Sequence, residues 1–267
     1  SPTEDNVEAL KEWLLNYYGA TTFNVCEHQP LSLMKCEPLK LHVDPNATPT
    51  AVHKPALVPI NWQNKVYEDL ERDVRMGVLE RVDPNIPTTL CSRMVVTCKA
   101  DGTPRRTVDL QPQNRHSVRQ THVPSLFHLA DRAPHHTKTV TDAWNGYHSV
   151  PICEEDRHIT TFIRPWGRYR YKVAPQGFVA SGDAYNQRFD AIISDFKNKV
   201  KCFNDTLMWE DSFEAAFFQA CAWFDLYALN GITLNLKKFQ FAQDTVEFAG
   251  LTITPTDIRP SLSLIHI

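Results

Sequence analysis

Apolar residues recur at helical spacing in four stretches of the chain. In residues 4–18, Val7, Leu10, Trp13, Leu14 and Tyr17 fall on one face of a short amphipathic helix. In residues 62–76, Val66, Leu70 and Val74 recur at i, i+4 and i+8, and Gly77 follows as a stop. Residues 178–196 predict a helix whose apolar surface comes from Ala184, Phe189, Ile192 and Ile193. Residues 212–229 predict the strongest one: Asp211 can cap it, Glu214 lies three residues on, and Asn230-Gly231 ends it. Elsewhere the pattern is that of strands. Residues 91–98 and 105–110 form a hairpin around Asp101-Gly102, 138–143 a strand, and 159–164 with 168–173 a hairpin turning at Pro165-Trp166-Gly167. Residues 199–210 read as strand–turn–strand around Asn204-Asp205, and strands fill 232–254. Prolines at 30, 38, 45, 49, 55 and 59 keep residues 19–60 extended, as an arm lying on something else. Hairpins are too frequent for a doubly wound parallel sheet, so the expected class is α+β.

Composition agrees with a folded chain: 267 residues, 42% hydrophobic and 22% charged. A net charge of −3 excludes a simple cationic nucleic-acid binder as a description of the whole. The charges are nonetheless segregated. Arg93, Lys99, Arg105, Arg106, Arg115 and Arg119 face only Asp101 and Asp109 between Ile86 and Gln120. Residues 157–172 carry Arg157, Arg164, Arg168, Arg170 and Lys172 with no acid, whereas 202–236 hold Asp205, Glu210, Asp211, Glu214 and Asp225 with no lysine or arginine. Charge runs are ordinarily solvated faces; a phosphate-binding lobe opposite a metal-binding lobe would carry charge in the same way. No apolar run is long enough to cross a membrane, and the N-terminus lacks the pattern of a signal peptide. Seven cysteines without a CxxC pair point to reduced thiols inside a cell. His135-His136 is expected to be a loop pair rather than a pair of metal ligands.

Phosphoryl transfer by divalent ions needs hard oxygen ligands brought together from separate strands, and basic side chains for a triphosphate. Asp142 ends an apolar strand and Asp205 lies in a hairpin; each alone means little. The segment from VTDAWNGYHSVPICEEDRH to YKVAPQGFVASGDAYNQRFD, the upstream RMVVTCKADGTPRRTVDLQPQN, the downstream KCFNDTLMWEDS and NGITLNLKKFQFAQDTVEFAGLTI together resemble the reverse transcriptases of long-terminal-repeat retrotransposons, of the Ty3/gypsy type. The resemblance runs from about residue 40 to residue 260.

It implies a right-hand polymerase made of fingers and palm, the thumb missing, with an antiparallel palm sheet backed by helices. Residues 1–60 would be an N-terminal arm, 61–135 the first part of the fingers, 136–153 the first part of the palm, 154–175 a fingers hairpin and 176–260 the rest of the palm. Asp142 matches the aspartate that bridges both ions, and Ala143 would lend its backbone carbonyl. Tyr147 matches the steric gate under the sugar, and Lys99 and Arg105 match the grip on the triphosphate. Pro104 stands where the family often has tryptophan. Gln176 and Gly177 match the motif beside nucleotide and template, Lys237 or Lys238 the proton donor to pyrophosphate, and Phe248-Ala249-Gly250 the primer grip. The implied cofactor is a pair of Mg²⁺ ions, with Mn²⁺ an alternative. The implied partners are an RNA or DNA template with primer, deoxynucleoside triphosphates and the protease, ribonuclease H and integrase of a polyprotein. No membrane is involved, and the setting would be a cytoplasmic virus-like particle with access to the nucleus.

One position departs from the pattern. The metal motif ends in two aspartates, and this chain reads Cys202-Phe203-Asn204-Asp205. An amide offers one neutral oxygen and cannot neutralise or bridge two divalent ions. The expectation is an RNA-directed DNA polymerase domain impaired by Asn204; the alternative is a dead or co-opted relative that only binds nucleic acid. After IRPS the apolar LSLIHI, within residues 261–267, is expected to be a non-native tail.

Overall fold

The computed structural model describes residues 2–26, 29–118, 127–144 and 146–261, with backbone alone for 127–129. Arg119 and the tail from 262 onward lie outside the described residues. The chain forms two compact units. One comprises residues 1–27, 123–146 and 186–267; the other comprises 28–122 and 147–185.

The first unit is built on a four-stranded antiparallel sheet in the order Gln240–Gln243, Thr137–Asp142, Asp205–Glu210, Lys199–Cys202. Val140, Val200, Leu207 and Trp209 on these strands pack with Ala130 and Ala133 and with Val246, Phe248 and Ile253 of a small three-stranded sheet. The helix Phe213–Asn230 carries Trp223, Phe224 and Tyr227 in full burial. Trp223 donates to Thr141 Oγ1 at 3.2 Å, which ties this helix to the central strand. Ser212, not Asp211, caps it: its hydroxyl accepts from the Ala215 N–H at 3.1 Å. Asp211 is instead 2.7 Å from His136 Nδ1. The N-terminal helix Val7–Tyr18 buries Leu14 and Tyr18, and the Tyr18 hydroxyl reaches Asp225 at 2.9 Å. Tyr17, expected on the buried face, is 64% exposed and stacks on Trp13.

The second unit holds a five-stranded sheet in the order Leu79–Arg81, Gly167–Tyr171, Phe162–Arg164, Ser92–Cys98, Pro104–Asp109. Its pairs are antiparallel except that Ser92–Cys98 runs parallel to Phe162–Arg164. Residues 159–160, expected to start a strand, finish a 3-10 helix instead. The helix Gln63–Arg75 buries Val66 and Leu70. Gly77, at φ +80°, lets it end with the Val78 N–H returning to the Asp73 carbonyl. The extended arm is not loose: Met34, Leu39, Leu41 and Val58 are buried, and bridges join Leu39 to Ile152 and Ala51 to Cys91. The helix Ser181–Ile192 is shorter than the 178–196 expected. Among the described residues no helix is long and apolar enough to cross a membrane, and all seven cysteines are free thiols.

Candidate active site

In the first unit, Asp142 and Asp205 are directly opposed on neighbouring antiparallel strands. This pairing decides the position of the hairpin turn. Cys202 pairs with Asp205, so the turn is Phe203-Asn204 and not Asn204-Asp205. Phe203 has φ +52° and is 64% exposed. A bulky residue in the left-handed region is strained, and the surrounding pairing must hold it there.

What holds it includes a residue to which sequence alone gave no role. Lys201 is buried, with its ammonium 2.8 Å from Asn186 Oδ1, 3.1 Å from Asp190 Oδ1 and 3.3 Å from the Phe203 carbonyl. It also lies 5.0 Å from the centroid of the Phe189 ring. Its pKa is lowered, burial being the largest cause. On the other side of the turn the Ala143 N–H donates to the Asn204 carbonyl at 2.8 Å.

Asp142 and Asp205 share a cavity of about 450 Å³ with Lys237, Lys238, Phe248, Ala249 and Gly250. Residues that the resemblance assigned to metal, proton donor and primer therefore converge within this unit. Of the two lysines, Lys238 is the one that reaches a carboxylate, with Nζ 2.9 Å from Asp142 Oδ2. The Asp205 carboxyl is pushed up to about 6. Burial is the largest cause, followed by the hydrogen bond and the like charge of Asp142; Lys238 and the Ala249 backbone N–H oppose it.

Two facing carboxylates, one with its charged form penalised, are a donor set that a divalent cation relieves. They fit one such ion. Among the described residues no group of three or more His, Cys, Asp and Glu side chains converges. Asn204 precedes Asp205 in the turn; it is half-buried and its side chain makes no hydrogen bond among the described residues.

The second unit carries the candidate nucleotide residues. Arg105, Gln176 and Gly177 line a cavity of about 340 Å³ together with Asp73, Arg106, His148 and Tyr171. Arg106 is 2.9 Å from Asp73, and burial pushes His148 down and Tyr171 up to about 12. Gly177 has φ +88°, open to glycine at no cost. Its carbonyl accepts from Asn114 Nδ2 at 2.7 Å, and Asn114 Oδ1 accepts from the Val179 N–H at 2.9 Å. Nothing in the sequence pattern singled Asn114 out. Tyr147 stands edge-on to the buried Tyr185, ring centroids 5.6 Å apart. Lys99 is exposed in the hairpin loop, held by its backbone to Thr103, and does not line the cavity.

The family model for reverse transcriptase (RNA-dependent DNA polymerase) matches residues 92–253. The chain belongs to this family. It is 26% identical over 205 residues to the Pro-Pol polyprotein of Simian foamy virus type 1, covering 73% of this chain and 17% of that one. It is 24% identical over 130 residues to a putative enzymatic polyprotein of Cassava vein mosaic virus, covering 48% of this chain and 20% of that one. Among solved structures, the foamy viral protease-reverse transcriptase in complex with an RNA/DNA hybrid matches with TM-score 0.82 at 16% identity, over 96% of this chain and 36% of that chain. The native protease-reverse transcriptase of Prototype Foamy Virus matches with TM-score 0.79 at 21% identity, over 98% of this chain and 34% of that one. The fold is thus the α+β fingers-and-palm fold of these polymerases. The chain spans about a fifth or less of the viral polyproteins it matches.

Proposed function

We propose that this chain is the fingers and palm of an RNA-directed DNA polymerase whose nucleotidyl transfer is impaired at Asn204. The unit carrying Asp142 and Asp205 acts as palm; the other unit supplies the fingers through residues 61–122 and 154–175, and also carries residues 147–153 and 176–185, which the family motifs assign to the palm. The resemblance of the segments between residues 91 and 254 favours an element of the Ty3/gypsy type within the wider group of polyprotein polymerases. The substrates are a primed RNA or DNA template and deoxynucleoside triphosphates. The remaining polyprotein enzymes (protease, ribonuclease H, integrase) would lie outside this chain.

The carrying observation is the facing pair Asp142 and Asp205 with an amide where the third carboxylate belongs. Asp142 and Asp205 would hold Mg²⁺ or Mn²⁺, with the Ala143 carbonyl beside them. The chemistry such an ion supplies when bound is stabilisation of charge on phosphoryl oxygens and on the attacking 3′-hydroxyl. Lys238, whose contact with Asp142 supports the choice over Lys237, would hold that carboxylate in orientation and give a proton to departing pyrophosphate. Lys99 and Arg105 bind the triphosphate as point charge and fork, Gln176 and Gly177 fit against the nucleotide, and Tyr147 rejects a 2′-hydroxyl. Phe248, Ala249 and Gly250 seat the primer end.

Loss of one charge-stabilising ligand at such a site costs about 10²–10³ in rate. Primer extension by the wild type and by Asn204→Asp, with Mg²⁺ and with Mn²⁺, tests the proposal. Asn204→Asp is expected to extend about 10²-fold faster or more. Equal and robust extension by both overturns the impairment. Primer–template binding with no extension by either leaves a domain that only binds nucleic acid.

A further inference from the structure

Tyr147 lies in the 3-10 turn Gly146–Ser149 and is half-buried. Its hydroxyl makes no hydrogen bond among the described residues, so packing sets the pose of the ring. Two residues at the start of the helix Ser181–Ile192 flank it. Tyr185, 1% exposed, meets it edge-on, with ring centroids 5.6 Å apart and an interplanar angle of 72°. Gly182 lies three residues earlier, on the same helix face. A Cβ built on Gly182 would stand 3.8 Å from both Cε1 and Oη of Tyr147.

Gly182 does not adopt a positive φ, and glycine is a poor helix former, so neither backbone freedom nor helix propensity accounts for it. What glycine supplies here is room. An alanine methyl would rest at ordinary contact distance from the ring, but carbons further out would press on it. A β-branched side chain has carbons on two sides of Cβ and cannot turn both aside. The helix start is itself tied down. The Ser181 hydroxyl donates to the Pro175 carbonyl at 2.7 Å, the Ser181 N–H donates to the Phe178 carbonyl at 3.1 Å, and Ala184 is fully buried. Added bulk at 182 therefore displaces the half-buried ring and not the helix.

We propose that Gly182 and Tyr185 are positioning residues that set how far the Tyr147 ring stands out from the helix. They thereby set the discrimination between deoxynucleoside and ribonucleoside triphosphates. The discrimination rests on the reading of Tyr147 as the sugar gate; the clamp on the ring does not. The helix holds one side of the ring, so a sugar meets it from the other. Bulk at 182 pushes the ring toward the sugar. Loss of the Tyr185 ring lets it sink, which admits a 2′-hydroxyl. The two changes thus act in opposite directions.

The test uses the full chain carrying Asn204→Asp, a primed template, and dCTP against CTP. In Tyr185→Leu the ratio of kcat/KM for dCTP over CTP should fall about tenfold, while Tyr185→Phe, which keeps the ring, holds the parent ratio. In Gly182→Val the KM for dCTP should rise about tenfold with kcat little changed and no fall in the ratio, while Gly182→Ala stays near the parent. Equal losses for both nucleotides in Tyr185→Leu, or an unchanged KM in Gly182→Val, overturn the specificity role. A second measurement needs no activity. In the otherwise wild-type chain labelled with fluorotyrosine, the ¹⁹F resonance of Tyr147, assigned with Tyr147→Phe, should move in Gly182→Val and stay in Gly182→Ala. A resonance that stays in both overturns the clamp, and this readout decides should Tyr185→Leu fail to fold. If the Asn204→Asp parent incorporates neither nucleotide, the polymerase reading falls, and the fluorine signal still judges the clamp. If Tyr147→Ala leaves the ratio unchanged, the gate reading falls and takes the specificity role with it.

Discussion

Asp142 and Asp205 face one another at one register position of adjacent strands, and Lys238 closes on the pair from the 3-10 turn Leu236–Lys238. Burial first, and then the hydrogen bond and like charge of Asp142, make the carboxyl of Asp205 hold its proton more tightly than an ordinary aspartate.

A pH dependence follows with a definite sign. Asp205 rises from its ordinary 3.8 to about 6 on folding. Between those values the folded chain holds the proton that the unfolded chain has lost, so stability falls as pH rises through this window. Urea midpoints of wild type and Asp205→Asn at several pH values isolate the effect. The difference between the two should grow in favour of the variant as pH rises toward about 6, then level off. Mg²⁺ should recover stability in the wild type above that range and do little for the variant. Parallel pH profiles would show that folding does not raise the Asp205 pKa.

The cap of the helix Phe213–Asn230 gives a second expectation. Ser212 Oγ accepts the Ala215 N–H, while Asp211 points to His136. Ser212→Ala should cost about 1 kcal/mol in urea denaturation. Asp211→Ala, which removes a highly exposed partner, should cost much less. The reverse order would restore Asp211 as the cap.

That cap shows where sequence reading works and where it stops. Asp211 and Ser212 are both good capping residues one position apart, and only the backbone path of the preceding strand selects between them. The hairpin over residues 199–210 was legible because two strand-like runs flank a pair of turn-forming residues, Asn204-Asp205. Its turn was placed one residue late because asparagine and aspartate favour turns locally, while the pairing of Asp205 with Asp142, far away in sequence, fixes the register. The facing carboxylates, Lys238 and the Phe248-Ala249-Gly250 turn were reached through the family motifs, since no local period brings residues 142, 205 and 238 together. Lys201 and Asn114 stayed silent. A lysine in a strand reads as an exposed charge, and its burial depends on Asp190 and Asn186 from another element.

The Lys201–Asp190 pair behaves accordingly. The lysine side chain is 4% exposed and the aspartate 23%. Lys201→Met strands Asp190 and releases the Phe203 carbonyl, and should cost about 3 kcal/mol of stability. Asp190→Leu together with Lys201→Met should recover most of that loss, because a buried ion pair is replaceable by packed apolar side chains. Urea denaturation of the two singles and the double gives the coupling energy. A double variant as unstable as the sum of the singles would show that the pair acts through separate neighbours.

Asn114 makes the last expectation, and it concerns the loop beside the nucleotide cavity. Its amide spans the loop, donating to the Gly177 carbonyl and accepting from the Val179 N–H. The loop is also held by the Ser181 hydroxyl on the Pro175 carbonyl and by the burial of Phe178, so the amide fixes the Gly177 carbonyl and the Val179 N–H within a loop already anchored at both ends. Asn114→Ala removes both bonds and should cost about 2 kcal/mol if each contributes about 1. Asn114→Asp keeps the acceptor for Val179 but sets a carboxylate against the Gly177 carbonyl, so it should free Gly177 while leaving Val179 protected. Amide hydrogen exchange reads the two ends separately. The Val179 N–H should exchange much faster in Asn114→Ala and near the wild-type rate in Asn114→Asp. In an Asn204→Asp background, Asn114→Ala should raise KM for the nucleotide more than it lowers kcat, because the loop positions substrate and does not touch the reacting atoms. Unchanged exchange at Val179 in Asn114→Ala would mean that packing, and not this amide, holds the loop in place.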